Sequence, residues 1–289
     1  MIGMLFVLGS LMMQQFESII VKSYGKKHGK GGMFFNAVVC LFAMLYFIAT
    51  DEGGLEFKPA LWKFGLINSV MYATGFYATY VAYKIGSFGL TKLVIAFGVI
   101  IPTFYGIIFL KEDTTVCTYL ALILILISIF LINYQKKDGN SKEKISPKWL
   151  LYILLAVVAN AIITIIGKKQ VDVFVGNYKN EFLMISLAGA SLILFVLALI
   201  FERDSLKSKI KPGFIYGSFA GIFNGINNFF LLMTYFYLPL SFTAPIRTGL
   251  GIVFGFSLSV FLYKEKFNAR QIVSVFIGIA AVVIMNLKF

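Results

Sequence analysis

QKKDGNSKEKISPK (135–148) is the one long polar stretch in a chain of 289 residues that is otherwise 59% apolar, and its position decides the fold. Around it the sequence breaks into apolar runs bounded by charge. They lie at 2–21, 33–50, 61–83, 86–110 and 115–134 before the stretch, and at 149–167, 182–201, 213–235, 238–262 and 268–287 after it. Each run is close to the about 20 residues an α-helix needs to cross roughly 30 Å of hydrocarbon. The expected fold is an all-α integral membrane protein of ten transmembrane helices, in two groups of five: 1–134, a polar linker at 135–148, and 149–289.

A charged fraction of 13% and a mean hydropathy of +0.87 exclude a soluble globular domain. The 26 Lys and Arg exceed the 13 Asp and Glu, but they cluster between apolar runs, as at Lys22, Lys26, Lys27 and Lys30. That placement points to anionic lipid headgroups as partners and not to nucleic acid. Cys40 and Cys117 fall in or beside apolar runs, which excludes a disulfide framework. The first apolar run has no basic n-region or small-residue cleavage site, so it reads as a retained helix.

The halves match at ordered offsets. Tyr83 and Ser87-Phe88 correspond to Tyr237 and Ser241-Phe242, Lys111-Glu112 to Lys264-Glu265, and Asn133 to Asn286; Gln14, Ser18 and Lys22 correspond to Asn160, Thr164 and Lys168. Five crossings is an odd number, so two consecutive five-helix repeats insert with opposite orientation. Such inverted repeats enclose a binding site near the bilayer midplane.

Two stretches carry a family resemblance: YKIGSFGLTKLVIAFGVIIPTFYGIIFLKED (83–113), and the run from Pro245 to Leu287 with Tyr263-Lys264-Glu265-Lys266 and then Ile277-Gly278-Ile279-Ala280-Ala281. In these the chain resembles the EamA family of the drug/metabolite transporter superfamily. The resemblance implies a ten-helix carrier of two five-helix repeats with cytoplasmic termini. The chain departs from the family in carrying charges at Lys92 and Arg247. The positive-inside rule points the other way on topology: with Arg270 and Lys63, at the edges of their spans, counted with the adjacent connections, 17 Lys and Arg fall after the odd-numbered spans against 7 elsewhere, which places both termini outside.

An ionisable side chain inside hydrocarbon costs at least about 2.5 kcal/mol on insertion scales and is a functional candidate by default. Glu17, Lys92 and Arg247 qualify. Arg247 is expected deepest, about 14 Å into the ninth span. There its planar fork would receive an anionic group of the substrate; the alternative is that it snorkels or binds carbonyls freed by Pro239 and Pro245. Glu17 and Lys92 are expected at similar depth on one face of the membrane. Glu17 is thus either a coupling residue that takes and releases a proton or one member of a Glu17–Lys92 ion pair. A first-helix Glu also resembles the small multidrug resistance relatives, whose Glu is shared between proton and cation; the flanking Phe16 and Ser18 depart from that motif.

Neutral polar residues recur at helical spacing. Gln14, Glu17 and Ser18 share a face of the first span and Asn160 and Thr164 one of the sixth; Asn68 and Tyr72 lie on the third, and Asn224, Asn227 and Asn228 on the eighth. These form the expected lining of a polar cavity, with interhelical hydrogen bonding as the alternative for each taken singly. Gly213, Gly217, Gly221 and Gly225 recur every fourth residue, a pattern for close helix packing within one chain first and dimerisation second, so the expected state is monomer or homodimer.

No nucleotide-binding loop, nucleophile elbow or His cluster is present in the sequence. The expected function is therefore a secondary transporter, not an enzyme. It would move a small polar, anionic or zwitterionic metabolite by alternating access, without a cofactor, and be coupled to a proton or sodium gradient or to exchange. A lipid or headgroup flippase and a membrane-embedded transferase are the alternatives. The expected location is the bacterial plasma membrane.

Overall fold

The computed structural model describes residues 2–28, 32–51, 53–85, 88–133, 146–261 and 269–285. Most of the linker, the Lys264-Glu265 motif, Asn286 and the side chain of Lys92 lie outside the described residues. Within them the chain is all helical, with no strand: α1 (Ile2–His28), α2 (Met33–Ala49), α3 (Pro59–Ile85), α4 (Phe88–Phe97), α5 (Ile100–Ile108), α6 (Val116–Asn133), α7 (Pro147–Val173), α8 (Lys179–Phe201), α9 (Arg203–Tyr237), α10 (Leu240–Phe261) and α11 (Ala269–Met285). Segments Ile2–Gly25, Pro147–Val173 and Lys179–Phe201 have clear membrane length and hydropathy, and several shorter helices are as apolar. Large apolar side chains such as Leu192, Phe109 and Phe276 are exposed while Asn68, Gln170 and Thr103 are buried. This inversion of the soluble pattern fits a chain surrounded by lipid.

The expected fourth span is broken into α4 and α5. Pro102 has no N–H to return to the Gly98 carbonyl, and the ladder there tightens to three-residue steps, with Ile101 N donating to Gly98 O at 3.2 Å and Gly98 N to Ile95 O at 3.0 Å. At the other extreme, α9 is longer than the apolar run at 213–235, because the charged segment before Pro212 continues the same helix.

Two compact units emerge, and each draws on both halves of the chain. One comprises Met1–Tyr80 and Ile162–Tyr237, the other Val81–Ala161 and Leu238–Phe289. In the first, α9 is the central element. Phe16 stacks on Phe223 and Phe6 on Tyr237, so α1 runs antiparallel to α9. Against its other side lies α2, running parallel: added Cβ atoms at Gly213, Gly217, Gly221 and Gly225 would meet Phe34, Val38, Val39 with Phe42, and Tyr46 in turn. The four glycines remove the side chains that would hold these two backbones apart.

Charge at helix ends joins α2 to α8. Gly32 offers no side chain to cap α2, and Glu202, just beyond α8, supplies both acceptors: Met33 N donates to Oε1 and Phe34 N to Oε2, each at 3.1 Å. At the opposite ends, Asn180 near the start of α8 donates to Asp51 just beyond α2 at 3.3 Å. Each helix thus ends beside the start of the other, which makes the pair antiparallel.

The second unit repeats the device. Leu240 N and Ser241 N, at the start of α10, donate to the two carboxylate oxygens of Glu112 at 2.7 Å each. Its core packs Val99, Ile125, Ile129 and Ala281. Across α6 and α11, Ser128 Oγ donates to Ser274 O at 2.7 Å and Ser274 Oγ to Ser128 O at 2.8 Å, so each hydroxyl is satisfied by the other helix.

Candidate functional site

The polar side chains expected on α1, α3 and α9 meet in the first unit. Tyr72 OH on α3 donates to Asn228 Oδ1 at 2.9 Å; Asn228 Nδ2 donates to Asn224 Oδ1 at 2.8 Å, and Asn224 Nδ2 to Glu17 Oε1 at 3.0 Å. The last bond spans 207 residues of sequence. Spacing explains the line within α9: Asn224 and Asn228 are one turn apart, so their amides stack along one face. Every donor in the series points toward Glu17. A side chain with both a donor and an acceptor end transmits that direction to the next, so the amide dipoles align with their oxygen ends toward Tyr72.

Beside Tyr72 lies a cavity of about 30 Å³. At roughly 10–15 Å³ per water it has room for about two. It is lined by Asn68 and Tyr72 from α3, Ile163, Thr164 and Gly167 from α7, Phe182 and Leu183 from α8, and Asn228, Leu231, Leu232 and Tyr235 from α9. Asn68 is 1% exposed and its Nδ2 donates to Ser186 Oγ at 3.2 Å.

The rim of the cavity is tied by Lys168, next to Gly167. The Tyr235 carbonyl would accept from residue 239 if the helix continued, but residue 239 is Pro and has no N–H. Lys168 Nζ takes that place, donating to Tyr235 O at 3.0 Å while pairing with Asp172 at 2.9 Å. Outside the spanning segments, Lys58 lies 4.5 Å above the Tyr178 ring. Its pKa is raised, first by hydrogen bonding to Tyr178 and then by Glu56.

Of the residues expected to line a site, Asn68, Tyr72 and Asn228 border this cavity, and Asn224 and Glu17 continue from it. Asn227 is buried on the same helix and Gln14 is half-buried one turn before Ser18, whose hydroxyl donates to the Gln14 carbonyl at 2.7 Å. Asn160 belongs to the other unit, is exposed, and returns its amide to Ala156 O at 2.8 Å. Arg247 is half-buried on α10, also in the other unit. The Glu17–Lys92 pairing concerns a side chain outside the described residues. Sequence reasoning missed Glu202, Glu112 and Lys168 as partners of helix ends; the signals were a Gly or Pro at the end of a helix and a charged residue beyond another.

An all-helical, multi-pass membrane protein with a line of polar side chains between its helices is the class defined by these features. Residues 147–287 match the model of the EamA-like transporter family. The quaternary ammonium compound-resistance protein QacG of Staphylococcus sp. (strain ST94) is 37% identical over 62 residues, which is 22% of this chain. The match spans 58% of that relative's own length. The crystal structure of a protein that is 12% identical superposes with a TM-score of 0.81, covering 98% of this chain and 96% of that one, which shows a shared fold. The matched family is one of transporters.

Proposed function

We propose that the chain is a secondary active carrier which moves a small polar metabolite, anionic or zwitterionic, across a bacterial plasma membrane by alternating access between two inverted five-helix repeats of a ten-span fold. The series Tyr72–Asn228–Asn224–Glu17 is the observation that carries this reading. Polar groups at membrane depth are costly and mark solute or ion pathways. The antiparallel pairing of α2, from the first half, with α8, from the second, supports opposite insertion of the halves.

Glu17 is the proposed coupling residue, binding a proton or sodium in one access state and releasing it in the other. Arg247 is the proposed receiver of an anionic group. The staphylococcal relative is named for resistance to quaternary ammonium compounds, which supports a solute that also carries a cationic group and so favours a zwitterion.

The test is uptake of an unlabelled metabolite mixture by proteoliposomes holding only this protein, with an imposed proton or sodium gradient and mass-spectrometric readout. Accumulation above the external concentration that collapses with the gradient is the expected result. Equilibration without accumulation, or no uptake, overturns the carrier reading.

A further inference from the structure

Hydrogen-bond accounting around the cavity says what kind of guest it takes. Ser186 has one hydroxyl proton, and it goes to Phe182 O at 2.7 Å, so its oxygen can only accept. Asn68 must therefore present Nδ2 to Ser186, as observed at 3.2 Å, and its Oδ1 faces away. No donor among the described residues reaches that buried oxygen.

Two of the neighbouring donors are committed. Tyr72 spends its one proton on Asn228, and both hydrogens of Asn228 Nδ2 go to Asn224, to O at 2.9 Å and Oδ1 at 2.8 Å. The oxygen ends of the aligned amides face Tyr72 on the cavity side, with Glu17 at the far end, so the cavity end has the polarity that attracts a positive charge. The nearby cation, Lys168, is matched by Asp172. Ile163, Phe182, Leu183, Leu231 and Leu232 give the lining an apolar wall, beside Thr164 and Tyr235.

The geometry points to a subsite for a primary ammonium group in this cavity, with Asn68 Oδ1 as its acceptor and the apolar wall against the attached alkyl chain. It deepens the carrier reading by naming the end of the solute recognised here, and rests on that reading for its transport role. An anionic group would find no donor on Tyr72 or Asn228, and a quaternary ammonium has no hydrogen for Asn68.

Equilibrium dialysis of the purified full chain with radiolabelled methylammonium tests it. Saturable binding is expected, displaced by ethylammonium and not by tetramethylammonium, and weakened at least about tenfold in Asn68→Leu. Asn68→Asp, which keeps an acceptor oxygen and adds charge, is expected to bind at least as tightly, and this arm decides the matter where Asn68→Leu does not fold. Absence of saturable binding, meaning that the cavity holds water only, overturns the subsite. So does equal displacement by tetramethylammonium, an Asn68→Leu affinity within twofold of wild type, or weaker binding in Asn68→Asp. Lost binding with gradient-driven metabolite uptake intact removes the subsite alone; methylammonium binding without accumulation of any solute removes the carrier reading and leaves the subsite.

Discussion

Asn224 donates to Glu17 at 3.0 Å, joining α9 to α1 across the interface where Phe16 stacks on Phe223. The acid at membrane depth is thus met by an amide whose own oxygen is already accepting from Asn228. Disturbing one residue of this line changes the surroundings of all.

Glu17→Gln keeps an acceptor oxygen for Asn224 and removes the charge. The expected outcome is a folded protein whose uptake no longer depends on the imposed gradient, measured by proteoliposome flux at several pH values and sodium concentrations. Unchanged gradient dependence would remove Glu17 from coupling.

Asn224→Leu cuts the line at its centre, leaving the Glu17 carboxylate and the Asn228 amide each short of a partner. A loss of about 1–3 kcal/mol is expected for a buried polar group left unsatisfied. A thiol-independent thermal unfolding assay in detergent reads it as a lowered Tm.

Gly221→Ala places a Cβ 2.6 Å from the Val39 carbonyl oxygen, a backbone atom that cannot turn aside. Destabilisation of about 1–3 kcal/mol is expected, as for overpacking elsewhere. Gly255→Ala, with no described atom within 4 Å of the added Cβ, is expected to stabilise α10 by about 0.5–1 kcal/mol. The sign difference between the two separates packing from propensity in the same thermal assay.

Glu202→Ala removes both acceptors from the start of α2, and Glu112→Ala both from the start of α10. Each is expected to lower stability by about 1–3 kcal/mol, since two backbone N–H groups lose their partners. Amide hydrogen exchange should quicken at 33–36 in the first variant and at 240–243 in the second, each with little change at the other site.

Lys168→Met takes the donor from the Tyr235 carbonyl and leaves Asp172 unmatched. A loss of about 1.5–3 kcal/mol is expected for a bond to a charged group. Pro239→Ala restores an N–H at the position where the helix ladder would use it, so the double variant should recover part of that loss.

Much of this was legible in the sequence because hydrocarbon leaves little choice. Apolar runs of about 20 residues must be helical, and polar residues one turn apart on such a run must share a face, which is how Asn224, Asn228, Tyr72 and Asn68 were found. Their partners were not legible in the same way. Depth along a helix assigns a level and says nothing of which neighbour stands at that level, so the bond from Asn224 to Glu17 needed the packing of α1 on α9. The caps by Glu202 and Glu112 were hidden by distance, since each joins residues more than 120 positions apart. Pro102, by contrast, declared its break locally, although the apolar run through it read as one span.

The stepped glycines of α9 also set how α2 can move. Phe34, Val38, Phe42 and Tyr46 each occupy one notch, and the notches repeat every four residues, about 6 Å along the axis. A small slip would drive each ring or branched chain onto the neighbouring tooth, so intermediate offsets are sterically closed. These two helices therefore travel as a single rail, and any rocking in this unit has to be absorbed at the joints with other helices.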